Sequence, residues 1–312
     1  WYPPLTDWRD GEGHLDGALA RSPHDPAYLE SRIEAGEYFD WYYADATARA
    51  AQTRTPITDG ARSKPWVFRA KDLRRFWSEP HFNRPGGVES ATPTAWVPQS
   101  KPVWIMELGV PAIDKGANAP NLFIDPKSAQ SARPPFSNGV RDDLIQRRAL
   151  EAYLRHWGAA GAPMVDPAHI FLWAWDARPF PQFPARRDVW ADGAAWSGGH
   201  WLNGRAGAAT LADVVSAICT AGGVAAFDTT GLSGVVSGYV VDAPTTVRAA
   251  IEPLMAIHSF TCVEREGRLV FQHLDQAAQA TITAADLVVA PAVTRYDGAS
   301  LPAEARLRFI DS

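Results

Sequence analysis

Two cysteines in 312 residues are too few to organise this chain. Cys219 and Cys262 lack the paired spacing of a metal site and lie in apolar surroundings, so buried free thiols are expected, not a disulfide. Basic residues are in deficit as well. Thirty Lys and Arg against 35 Asp and Glu leave a net charge of -5, which implies no general electrostatic attraction to nucleic acid. No apolar run nears the roughly 20 residues that cross a bilayer, and no signal peptide is visible. The chain opens on Trp1 and not on Met, so it is expected to be a piece of a longer polypeptide, and missing targeting signals mean little.

What is present is unevenly spread. A hydrophobic fraction of 46% and a charged fraction of 21% are ordinary for a globular protein, and the length suits two domains. All 13 tryptophans lie between Trp1 and Trp201, and the last lysine is Lys127. Beyond about residue 205 the sequence turns to Ala, Val, Thr and Gly. Two domains are therefore expected to meet near residues 200–208.

The first part is read around residues 101–109, KPVWIMELG. Val103, Trp104, Ile105 and Met106 make a proline-led apolar run that stops at one carboxylate, Glu107. Apolar residues on both faces predict a strand buried on both sides, as in a parallel sheet. Chemistry in parallel α/β folds collects at the C-terminal strand ends. On the residues alone, Glu107 reads equally as a functional carboxylate or as an interior Glu paired to an Arg or a Trp N–H. Residues 64–68 (KPWVF) and 169–176 (HIFLWAWD) read as two further strands, and residues 1–10 as a strand end running into a loop. A long helix is expected to open at Asp25-Pro26, with a stripe of Leu29, Ile33, Gly36, Phe39, Tyr43 and Ala46. Another helix spans about 141–157, with Asp142 and Asp143 in its first turn. Long loops fill residues 76–98 and 110–139. Helices between strands, with long loops at strand ends, are the habit of a (β/α)-barrel, of which this chain holds about half.

The strings WYPPLTDWRD, KPWVFRAKDLRRFWSEPHFNRPGG, KPVWIMELGVPAIDKGANAPNLFIDPKS, FSNGVRDDLIQRR and HIFLWAWDARPFPQFP carry a specific resemblance. They resemble the glycosidase-like TIM-barrel domain of large tail proteins from gene transfer agents and related prophages, over roughly residues 1–205. The resemblance implies the C-terminal half of a barrel similar to retaining glycoside hydrolases, with Glu107 at the nucleophile position of the seventh strand. Their acid/base Glu sits at the end of the fourth strand, outside this chain. Asp7, Asp10, Asp72 and Asp176 lie at comparable strand ends, and none is singled out as the acid. Trp8, Asp10, Trp173, Trp175 and Asp176 are the candidate glycan contacts, although Trp8 reads as readily as ordinary packing.

Residues 178–207 read as an irregular connector, in which His200, Asn203 and Arg205 form a turn packed on its own tryptophans. From residue 208 the pattern becomes helix, strand, helix and hairpin, with Glu266-Gly267 as the turn. Strands are expected at 224–227, 235–241, 260–264, 268–273 and 305–310, with a short strand and turn at 280–286. This part is similar to phage tail and baseplate hub domains, mainly through TVRAAIEPLMAIHSFTCVEREGRLVFQ. The expected architecture is thus a multidomain α/β plus α+β chain: residues 1–177 a half barrel, 178–207 a connector and 208–312 a hub-like domain. The resemblance implies a tail-tip protein of a phage-like particle, made in the bacterial cytoplasm. Its partners would be copies of itself in a trimeric ring, other tail and baseplate proteins, host-envelope glycan, and DNA passing through the channel without sequence-specific contact. No cofactor or metal is implied. Hydrolysis of cell-wall or capsular polysaccharide, with Glu107 as nucleophile, is the enzymatic alternative.

Overall fold

The computed structural model describes residues 2–11, 14–160, 163–179, 181–202, 208–241, 243–274, 283–286 and 288–289. Trp1, Asn203, Arg205 and the strand expected at 305–310 lie outside these. In chain order the first part contains α1 (Pro26–Ser31), β1 (Trp41–Tyr42), α2 (Ala46–Ala50), β2 (Thr55–Pro56), α3 (Leu73–Ser78), β3 (Val103–Leu108), α4 (Asp143–Ala160) and β4 (Val165–Leu172). The chain continues through α5 (Gln182–Ala185), β5 (Ala209–Thr210), α6 (Leu211–Ala221), β6 (Phe227–Gly231), β7 (Val235–Val236), α7 (Val247–His258), β8 (Phe260–Arg265) and β9 (Arg268–His273).

The β3–α4–β4 unit frames the first part. β3 and β4 run parallel, with Val103 opposite Val165, Ile105 opposite Ile170 and Leu108 opposite Leu172. A parallel pair needs a crossover, and α4 supplies it. Ile145, Ala149, Tyr153 and Trp157 recur every four residues and bury one face of α4 in the same core as Ile105 and Leu108. Asp142 caps the helix, accepting from the Ile145 N–H at 3.0 Å, and is itself held by His24 Nε2 at 2.7 Å.

Several expectations need correction. β3 is buried on one face only: Ile105 and Leu108 are enclosed, whereas Trp104 and Met106 are 52% and 59% exposed. A strand alternates its side chains between two faces, and the register shift between Ile105 and Leu108 turns Leu108 into the same core as Ile105 while Glu107 stays exposed. On the other face Trp104 stacks on His169 at 4.1 Å. β4 starts four residues early, because Val165 is buried opposite Val103. It ends before Trp173, where Ala174 N–H turns to the His200 carbonyl at 3.0 Å. Residues 64–68 are not a strand. Pro65 lacks an N–H for a ladder and fits the first position of a helix, so Pro65–Phe68 form a 3-10 turn. The helix capped by Asp25 is six residues, not long, and ends well before the aromatics. Gly36 at φ +80° and Tyr38 at φ +60° then bar a return to helix, and Trp41–Tyr42 pair with Thr55–Pro56. Among the described residues the strands of this part form two separate pairs and close no barrel.

A second core gathers Leu211, Val215, Cys219, Ile251, Leu254, Phe260 and Phe271. Thr210 and Thr246 cap α6 and α7. The hairpin stands as expected: Glu266 and Gly267 both take positive φ, +52° and +75°, the two-residue turn that matches strand twist. β9 also pairs in parallel with β6, which lies at Phe227–Gly231 and not at 224–227. The reason is local: Val224 N–H bonds back to the Cys219 carbonyl at 3.0 Å, so Val224 belongs to the exit of α6. The strand expected at 235–241 shortens to two residues; of the short strand and turn expected at 280–286, Ala284–Asp286 form a 3-10 turn and residues 280–282 lie outside the described residues. Cys219 and Cys262 are free thiols. Arg148 of α4 forms an ion pair with Asp213 in the first turn of α6, joining the two parts.

Candidate functional site

Glu107 lies one residue before the C-terminal end of β3, with its side chain exposed. The Tyr2 hydroxyl donates to its Oε2 at 3.2 Å. Burial, and then the neighbouring carboxylate, raise the Tyr2 pKa well above the ordinary phenol value, so Tyr2 remains a donor at any physiological pH. Parallel register places Trp173 beside this group, its N–H donating to the Leu108 carbonyl at 2.8 Å and its side chain 46% exposed. Gly109 makes the approach possible. A Cβ there would stand 2.7 Å from the Trp173 carbonyl oxygen, 2.9 Å from His200 Cδ2 and 3.0 Å from Tyr2 Cε1.

His200 forms the floor. It is 4% exposed, and its Nε2 donates to the Pro120 carbonyl at 2.6 Å. That bond places the proton on Nε2, and Nδ1 is buried without a hydrogen-bond partner among the described residues. Burial pushes the pKa down to about 4, against the pull of the Pro120 carbonyl, so the imidazole is neutral. Tyr2 and Phe123 pack on its ring at 5.5 and 4.5 Å. Tyr2, Glu107, Gly109, the Trp173 backbone and His200 therefore make one constellation: an exposed carboxylate and a fixed phenol, with the Tyr2 and Phe123 rings as an aromatic wall over a neutral floor.

Tyr2 is held in place from below. Lys71 is fully buried, and its Nζ donates to the carbonyls of Pro4 at 2.9 Å and Ala35 at 2.6 Å. Burial lowers its pKa to about 7. Leu5 and Thr6 N–H groups donate to the Ala117 carbonyl at 2.8 and 3.1 Å, and Asn118 brackets Trp8 through both backbone groups. Below these sits a closed ionic network. Asp7 accepts from Tyr43 at 2.5 Å, Arg54 at 2.7 Å and Gln52 at 3.1 Å. Asp16 accepts from Tyr28 at 2.5 Å and Arg54 at 2.7 Å. Burial alone would raise the Asp16 pKa, but these donors outweigh it and hold the carboxyl below its usual range.

The other candidate residues have their own partners. Trp8 is 7% exposed and packs on His14 and Tyr28, so its ring faces protein. Asp10 takes Lys115 Nζ at 2.6 Å, and Lys115 also binds Asp114. Trp175 is 73% exposed. Asp176 accepts from Arg178, which overrides the upward push of burial and keeps the carboxyl below its ordinary range. Asp72 caps α3 through the Arg75 N–H. Each aspartate weighed as a partner carboxyl for Glu107 is thus engaged elsewhere. Sequence reasoning missed Tyr2, whose only signal was a phenol in an apolar leader. It read His200 as part of a turn, although the histidine packs directly under Tyr2.

Among the described residues no group of His, Cys, Asp and Glu gathers as a metal site, and no helix is long and apolar enough to cross a membrane. Comparison with protein families finds two matches. Residues 1–184 match the GTA TIM-barrel-like domain, and residues 246–312 match a phage tail protein family. No curated protein matches the chain. The second match supports a structural role in a tail, and the first covers more than half of the chain: it belongs to the GTA TIM-barrel-like domain family.

Proposed function

We propose that this chain is a structural part of the tail tip of a phage-like particle, in which its tail domain joins a hub ring of like copies. Its barrel-like part faces outward and contacts host-envelope glycan at the Glu107–Trp173 strand end. The occurrence of a tail-protein match and a TIM-barrel-like match on one chain carries the structural reading. Exposed Trp173 and Trp175, which follow β4 where it pairs with β3, support the glycan contact together with the exposed Glu107 at the end of β3, since flat rings cover the apolar face of a sugar while a carboxylate accepts from its hydroxyls. Other tail and baseplate proteins complete the assembly, and DNA passes through the ring without sequence-specific contact. Electron microscopy of particles made without this protein tests the reading: absent or unfinished tail tips are expected, and normal tips would refute it.

Retaining glycoside hydrolysis is the second reading, favoured by the Tyr2–Glu107 hydrogen bond, which fixes a strand-end carboxylate beside an aromatic wall. That chemistry needs a second carboxyl about 5–5.5 Å from the nucleophile. Asp7, Asp10, Asp72 and Asp176 are bound to other groups, so on this reading the second carboxyl comes from the barrel's fourth strand, outside this chain.

A further inference from the structure

An open cavity lies away from the Glu107 group. It has a volume of about 450 Å³, within the roughly 300–1,000 Å³ range of small-ligand sites, and is lined by Tyr43, Asp45, Arg49, Pro135 and Phe136. Its walls are rigid. Tyr43 is tied to Asp7 through its hydroxyl, and Arg49 lies over the Tyr43 ring at 4.7 Å. Arg49 is also clamped on the buried Glu37 by two hydrogen bonds of 2.9 and 2.5 Å. Opposite, Asn118 Nδ2 fixes the Pro135 carbonyl at 3.0 Å.

Phe136 is the unusual member. Its backbone sits at φ +65°, a region that a bulky side chain rarely adopts and occupies only under strain. Glycine would adopt that conformation without strain. The ring is half-buried at the cavity and has no ring or cation partner among the described residues, unlike Tyr43, which packs on Trp41. The phenylalanine is therefore held at a conformational cost where its own core gains little. Asp45 adds an exposed carboxylate at the rim, one oxygen of which caps α2 by accepting from Ala48. A flat apolar ring, a carboxylate and a guanidinium around a cavity this size suit a pyranose, whose faces are apolar and whose rim carries hydroxyls. A protein partner would need roughly 1,000 Å² of complementary surface.

We infer that the Tyr43–Phe136 cavity is a second sugar-binding subsite, with Phe136 as its stacking plate and Asp45 as its hydroxyl acceptor. The subsite rests on the proposed glycan contact but uses different residues. Pro135 and Phe136 belong to the loop that leaves β3 after Glu107, so one loop serves both places.

The test is saturation-transfer NMR and calorimetric titration of the full chain with cellotetraose and chitotetraose. The variants are Phe136→Gly and Trp173→Ala, each checked by thermal melting. Phe136→Gly is expected to fold with an unchanged or higher melting temperature and to weaken binding of at least one sugar ten-fold or more. Binding by Phe136→Gly at the parental affinity would overturn the subsite. If Trp173→Ala alone loses binding, the strand-end contact stands and the subsite is wrong. If the parent binds neither sugar, both are wrong.

Discussion

Carboxylates occur in two contrasting settings in the first part of this chain. Asp7 and Asp16 are buried, and each accepts two or more side-chain hydrogen bonds, sharing the Arg54 guanidinium. Glu107 is exposed at a strand end, with a phenol at 3.2 Å and an aromatic wall beside it. The first arrangement spends its lone pairs on protein donors and so fixes the backbone that leads to Tyr2. The second leaves a carboxylate facing solvent where a ligand can reach it. Burial with saturation marks a structural acid, and exposure at a supported strand end marks a candidate for contact. The distinction rests on burial, not on residue type.

Substitution should separate the two settings sharply. Arg54→Met strands two buried carboxylates, and is expected to cost about 3–5 kcal/mol in urea unfolding. Glu107→Gln should stay within about 0.5 kcal/mol of the parent. Comparable losses in both would erase the contrast.

Lys71 gives the buried setting a pH signature. An unfolded lysine keeps its proton to about pH 10.4, whereas the folded one releases it near pH 7. Between these values the unfolded state binds more protons, so stability rises with pH, by at most about 1.4 kcal/mol per unit. Lys71→Met should flatten unfolding free energies measured from pH 7 to 10. An unchanged slope would mean that Lys71 is not the group responsible.

Gly109→Ala probes the strand end, where the added methyl meets the Trp173 carbonyl. A loss of about 1–3 kcal/mol and altered tryptophan fluorescence are expected. No change in either would show that the close approach is not needed. Tyr2→Phe should have a smaller effect than Gly109→Ala, about 1 kcal/mol or less in thermal melting, since one exposed hydrogen bond is removed. A larger loss would place Tyr2 with the structural network instead.

Much of this organisation was legible in the residues. The run Val103 to Met106 and the acidic first turn of the helix at 141–157 gave the parallel unit, and Glu266-Gly267 gave the hairpin. Asp25 was read correctly as a cap, yet its helix ended early, and Gly36 and Tyr38 in left-handed conformations turn the aromatics of residues 39–43 into a short strand pair. Lys-Pro before an apolar run preceded a strand at residue 103 and a 3-10 turn at residue 65. Only tertiary pairing separates the two outcomes, and β4 exists solely beside β3. Glu107 was legible because a lone carboxylate ends an apolar run. Its neighbours Tyr2 and His200 were not, since contacts across 105 residues and a 2.6 Å bond to a backbone carbonyl leave no pattern in the chain. Phe136 was silent for the same reason: its positive φ belongs to the folded loop.

The most direct measurement is reducing-end release from purified cell-wall and capsular polysaccharide by the full parent protein, beside its Glu107→Gln variant. A tail-tip component that contacts glycan without cutting it should release no sugar in either form. Release by the parent and none by the variant would contradict this account and make Glu107 a catalytic nucleophile.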